Sequence, residues 1–381
     1  MKSQERVRRA FHFEKPDKIP RLSISLKTDF FPFSLLTPKS FQPTSHPPHG
    51  YSKSFIVRNI MNRWKWKKKF RKIGGFSKNW WKLDTGGQLL TIDEWGILWS
   101  SGGANRDITM GHPYIGPFQD GWEAMDNYEW PDPYDKTRYR YCNEILKMFS
   151  RSKYTMGIMG LYLLHNLPSW LRGFTNLMVD FRRYQNKVHE LISRCKDFFL
   201  VEIELLKQKV PRLDAIWAFD DLGTQKSAFV SPDTFKKFFF KPYKELIDLT
   251  HDLGMDFILH SCGQLTELLP IFVDLGIDVM EFDSPRMTGV ENFKKYARER
   301  KMAFWLSSNI QTTYSRGTPA DIEEEVKYFV EEVGNNEGGM AFYLYADNKV
   351  LKVPKANVVA YRNAMKKWGN YNENGVIDWL A

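Results

Sequence analysis

From Tyr154 onward, short apolar runs alternate with longer amphipathic stretches. The runs 154–162, 214–221, 256–262, 279–283, 303–309 and 340–347 end on polar side chains, and each is followed by a helix-length segment. Nearly unbroken apolar runs of this length suit strands buried on both faces of a sheet. The spacing predicts helices over about 177–210, 231–253 and 264–275, and one after each later run. Ser231-Pro232-Asp233 and Thr318-Pro319-Ala320 set a capping hydroxyl before a proline, a helix start. Gly254, Gly276 and Gly338-Gly339 fall where helices hand back to strands. Strand-then-helix units in series imply a parallel sheet. With one or two more strands from the first hundred residues, Ile19–Leu26 above all, the count reaches the eight of a (β/α)8 TIM barrel, an α/β fold. An open doubly wound sheet is the alternative. It is disfavoured because no Gly-rich phosphate loop follows any strand.

The first 150 residues break this rhythm. Residues 31–50 carry five prolines and read as loop. A basic, Trp-rich segment at 56–82 suits an amphipathic helix with a break at Gly74-Gly75, and residues 87–100 alternate as a hairpin would. Pro131-Asp132-Pro133 marks a turn ahead of a helix from about Thr137 to Ser150. The expectation is one barrel domain over 1–381, with an irregular, aromatic-rich N-terminal extension and insertions within 28–150.

Composition adds three points. An aromatic content of 15% favours a deep, ring-lined pocket. Three cysteines, Cys142, Cys195 and Cys262, argue against a disulfide framework and for a reducing compartment. Without a signal-like apolar core near the start or a run of about 18 apolar residues, a cytoplasmic protein with no membrane span is expected. The net charge of +10 is unevenly spread, because residues 63–72 hold seven basic side chains in ten positions. That segment suits either a solvated helix face or a dock for an acidic partner. Trp64, Trp66 and Phe70 interleave with it as in nucleic-acid patches, but no such binding fold accompanies them. Assembly into a homodimer is left open.

In a parallel barrel, chemistry sits where strands end. Those ends are Asp220-Asp221, His260-Ser261-Cys262, Glu281 with Asp283, Ser307-Ser308-Asn309, and Asp347-Asn348. His260 and Cys262, two apart on a strand, share a face and suit two ligands of one ion. They equally suit a satisfied polar group beside a small buried thiol. Adjacent Asp220 and Asp221 point to opposite faces, so one can enter the mouth as an acid or base while the other caps a loop. His112 and His165 lie in loops from which they could reach the pocket.

The segments Arg6-Val-Arg-Arg-Ala10, Lys15-Pro-Asp-Lys-Ile-Pro20, Asp93-Glu-Trp-Gly96 and Trp130-Pro-Asp-Pro133 then form a pattern. Further along come Arg172-Gly-Phe-Thr-Asn176 with Asp180, Asp220-Asp-Leu-Gly-Thr-Gln225, Leu259-His-Ser-Cys-Gly263, Leu275-Gly-Ile-Asp278 and Gly338-Gly339. Together they resemble the uroporphyrinogen decarboxylase superfamily over nearly the whole chain. The Met-Arg-Gln-Ala-Gly-Arg segment of the true decarboxylases is missing. His-x-Cys resembles instead the zinc site of the branch that transfers methyl groups with a corrinoid protein. Counting back from Pro354 and Asn357, Asp347 falls where that branch places a third ligand, a cysteine. A His/Cys/Asp set would be a harder site than His/Cys/Cys.

The resemblance implies a methyltransferase moving a methyl group between a small methylated substrate, such as a methoxylated aromatic, and a corrinoid protein. It implies a zinc site at His260, Cys262 and Asp347, with Asp221 and His260 as catalytic groups. Asp220, Gln225, Asp283 and Asn309 are the expected substrate contacts. A metal-free decarboxylase-like lyase, in which Arg172 and Arg286 hold carboxylates, is the alternative. An inactive binding barrel is another.

Overall fold

The computed structural model describes residues 1–23, 28–35, 38, 89–101, 112–126, 128–150, 152–159, 162–334, 337–345, 348 and 351–371. Eight parallel strands form a nearly closed TIM barrel. They are β1 (Arg21–Leu22), β2 (Phe30–Ser34), β6 (Tyr154–Met159), β7 (Ala215–Phe219), β8 (Asp256–His260), β9 (Val279–Phe282), β10 (Ala303–Leu306) and β11 (Met340–Tyr343). Each pairs with the next around the ring, β2 directly with β6 and β11 with β1. Across the remaining seam the Asp29 amide donates to the Arg21 carbonyl at 3.0 Å, and the Arg21 amide donates to Asp29 Oδ2 at 3.1 Å. The open-sheet alternative is excluded.

Between β2 and β6 the chain adds an antiparallel sheet of β3 (Leu89–Ile92), β4 (Leu98–Ser101) and β5 (His112–Ile115). Its β3–β4 pair lies where a hairpin is expected. The loop expected over 31–50 needs correcting, because 31–34 belong to β2. Pro32 disguised that strand. It is tolerated there because β2 is hydrogen-bonded to β6 alone, and a residue without N–H can sit on the strand's other edge. The helix expected from Thr137 starts only at Cys142, after Tyr141 adopts a left-handed φ of 67°. The basic segment 63–72, the helix expected within 56–82 and Asp347 lie outside the described residues.

Helices α1 (Ser3–Phe11), α2 (Cys142–Phe149), α3 (Asn166–Arg172), α4 (Phe174–Arg183), α5 (Gln185–Lys209), α6 (Lys241–Asp252), α7 (Leu269–Leu275), α8 (Val290–Arg298), α9 (Pro319–Glu332) and α10 (Lys355–Trp368) complete the main elements. The helices of the β/α units cover the strands' outer faces, while side chains of the opposite parity fill the barrel. Trp217, Trp305 and Tyr343 form its middle, with Trp217 and Trp305 ring centroids 4.9 Å apart. Below them α1 acts as a plug. Phe11 packs edge-on to Tyr154 at 5.7 Å, and Val7 and Phe13 join the same inner cluster. The two consecutive glycines serve that plug. The Gly339 amide donates to the Ala10 carbonyl, and a Cβ on Gly339 would lie 2.4 Å from the Phe13 ring. Among the described residues no helix is long and apolar enough to cross a membrane.

Candidate functional site

The aromatic filling stops one layer below the strand ends. Strand parity carries the inward face upward from Phe219 to Asp221, from Ile258 to His260 and Cys262, and from Val279 to Glu281 and Asp283. His260 stands over the Phe219 ring at 5.0 Å and is paired in register with Glu281. His260 Nδ1 lies 2.5 Å from Glu281 Oε2, and the opposite ring nitrogen, Nε2, lies 3.6 Å from Cys262 Sγ and 3.5 Å from Asp221 Oδ1. The Cys262 amide donates to Asp221 Oδ1 at 2.9 Å, which ties the loops after β7 and β8 together. Glycine permits that approach. Gly263 has φ +102°, and a Cβ there would fall 2.3 Å from the backbone of Gly223.

Two donor groups emerge among the described residues, Asp221/His260/Cys262 and His260/Glu281/Asp283, each with its ligand atoms within 4.8 Å of one another. The second group is fully enclosed. Glu281 Oε1 and Asp283 Oδ1 are buried without a hydrogen-bond partner. Imidazole, thiol and carboxylates so placed fit a divalent ion.

Electrostatics divides the labour among these groups. Burial alone would strip His260 of its proton, but the negative charge of Glu281, with Cys262 and Asp221, holds the imidazole pKa well above its usual value. Enclosure works to raise the Asp221 carboxyl, although 48% of its side chain stays open to solvent. The hydrogen bond and charge of His260 prevail and hold it below the usual carboxylate range. Burial, aided by repulsion from Glu281, lifts Asp283 well above that range. The two neighbouring carboxyl groups are thus shifted in opposite directions, Asp221 toward the carboxylate and Asp283 toward the acid. Burial pushes the Cys262 thiol up to about 12.

The other expected site residues are dispersed. Asp220 is fully buried and faces away from the mouth. Its carboxylate accepts the amides of His165 at 2.8 Å and Asn166 at 2.7 Å and the Tyr243 hydroxyl at 2.5 Å, so it braces the loop after β6. Gln225 is exposed on the rim and donates to Gln311 Oε1 at 3.2 Å. Asn309 is buried and accepts its own loop's Gln311 amide at 3.3 Å, while its backbone amide donates to Glu325. His112 lies exposed in β5. His165 is buried, its ring stacked on Phe229 at 5.4 Å. Arg172 is committed to Asp180 at 2.7 Å and Arg286 to Glu325 at 2.6 Å. Glu281 stood in the strand-end series without a role. Its signal was its parity with Asp283, but only the register reveals that it faces His260.

A sequence profile of the uroporphyrinogen decarboxylase (URO-D) family matches residues 103–368. The chain belongs to this family. A methyltransferase from Methanosarcina mazei shares the family member's fold at a TM-score of 0.57 and 14% identity, over 96% of this chain and 98% of that one. D-psicose 3-epimerase from Clostridium cellulolyticum H10 aligns at a TM-score of 0.36 and 10% identity, over 64% of this chain and 85% of that one. Xylanase 10B from Thermotoga maritima aligns at 0.39 and 9%, over 62% and 82%. Nothing about the chemistry of this chain follows from those two lower scores. No curated protein matches the chain by sequence.

Proposed function

We propose that this URO-D family member is a methyltransferase that moves a methyl group between a small methylated substrate and a corrinoid carried by a separate partner protein. The observation that carries the reading is the meeting of His260 Nε2, Cys262 Sγ and Asp221 Oδ1 at the barrel mouth. The fold shared end to end with a methyltransferase supports it. The commitment of Arg172 and Arg286 to carboxylates of the same chain weighs against the lyase reading, which needs them for substrate.

His260 and Cys262 would hold zinc, with Asp221 or Asp347 as the third ligand. Bound there, zinc supplies Lewis acidity toward the departing oxygen of a methyl ether. Asp283, whose carboxyl pKa burial raises beside the cluster, would hold a proton for that oxygen. Gln225 and Asn309 would bound the substrate at the rim, and the whole chain, 1–381, would act as one catalytic unit.

Free reduced cobalamin can replace the unknown partner as methyl acceptor. With a panel of methoxylated aromatics, the protein should methylate it, seen as a change in the corrin absorbance, and metal analysis should find about one zinc per chain. Cys262→Ala should lose both zinc and activity. Active protein without zinc, unimpaired by Cys262→Ala, would remove the metal from the reading. Absence of methyl transfer across the panel would count against this substrate class.

A further inference from the structure

Glu281 is fully buried in β9, yet its position brings the fold little benefit. Its hydrogen bond to His260 Nδ1 engages Oε2, and Oε1 is left buried without a partner. Taking a carboxylate out of water and satisfying one oxygen costs stability, and apolar groups of similar size often serve a core better. Its register neighbours are His260 on β8 and Trp305 on β10. The arrangement therefore serves the imidazole.

We propose that Glu281 is a positioning residue, which fixes the His260 ring so that Nε2 presents its lone pair beside Cys262 Sγ for a metal ion. An imidazole on a strand end can rotate about two side-chain bonds, and either nitrogen can act as a ligand. The contact of Nδ1 with Glu281 Oε2 removes both freedoms. It commits the Nδ1 proton to the carboxylate and turns Nε2 toward Sγ, 3.6 Å away, on the side where Asp221 also points. It also raises the donor strength of Nε2, as carboxylates behind metal-bound histidines do. Glu281 touches neither substrate nor the reacting atoms in this role. The proposal rests on the metal half of the functional reading.

Zinc affinity of the metal-free protein, measured by chelator competition, tests it together with crystal structures of metal-free variants. Glu281→Leu should weaken zinc binding about 10–100-fold and let the His260 ring turn, with no loss of thermal stability. Glu281→Gln, whose amide oxygen still accepts from Nδ1, should keep the ring in place and retain more affinity than Glu281→Leu. Should Glu281→Leu not fold, Glu281→Gln must still bind zinc more weakly than the unaltered protein. Variants that bind zinc as tightly as the unaltered protein would overturn the proposal. If the unaltered protein binds no zinc, the metal reading fails on its own account. The His260 orientation in Glu281→Leu then decides the positioning role, and an unmoved ring overturns it.

Discussion

At the scale of single residues, neighbours in sequence carry different duties. Asp220 and Asp221 are adjacent, but alternation on the strand turns Asp220 outward to brace the loop after β6 and Asp221 inward to the cluster. Asp220→Ala should leave two buried backbone amides and the Tyr243 hydroxyl without their acceptor. A cost of roughly 2–4 kcal/mol follows from a buried network losing its centre. Urea denaturation checks this, and an unchanged midpoint would show that the loop does not depend on the carboxylate.

At the scale of elements, caps and helix-to-strand ties set local stability. Thr318 and Asp321 form a reciprocal capping box at the start of α9, with the Thr318 amide 2.7 Å from Asp321 Oδ2. Thr318→Ala should cost about 1 kcal/mol and Thr318→Ser much less, as equilibrium unfolding would register. Two histidines tie helices to the lower ends of strands. His12, just after α1, contacts Asp256 of β8 at 2.9 Å, and His251 of α6 contacts Asp278, which precedes β9, at 2.8 Å. Hydrogen bonds to these carboxylates raise both imidazole pKa values above the usual 6.5. The stabilisation they contribute is therefore complete below about pH 6.5, and it is lost as pH rises through the folded values. Both rings are more than one-third exposed, which keeps the effect small. The thermal midpoint should fall modestly from pH 6 to 8, and a His12→Gln/His251→Gln double variant should reduce that fall. An equal fall in the double variant would place the pH dependence elsewhere.

At the scale of the whole molecule, the barrel depends on a segment distant in sequence from most of its strands. Val7, Phe11 and Phe13 are buried against the inner faces of β2 and β6 and against Gly339. At roughly 2 kcal/mol for each buried apolar side chain, they matter against a domain stability of about 5–15 kcal/mol. A chain lacking residues 1–13 should expose the lower barrel, bind a hydrophobic dye and unfold well below the intact protein. Unfolding at the intact protein's midpoint would show that the plug is dispensable.

Much of this was legible from local pattern. Unbroken apolar runs placed six strands from Tyr154 onward, since a strand buried on both faces admits few polar residues. Strand parity put His260 and Cys262 on one face, and their spacing offered them as a candidate ligand pair. β2 was hidden because Pro32 reads as loop until the sheet shows which edge carries no hydrogen bond. Register was hidden too, because strand pairing joins residues twenty or more apart in sequence through contacts that no local propensity encodes. Tertiary structure alone therefore set Glu281 against His260, committed Arg172, Arg286 and Asp220 to structural partners, and shifted the Asp221 and Asp283 pKa values in opposite directions. A side chain's direction follows from its own strand, but its partner and its proton depend on what the rest of the chain brings beside it.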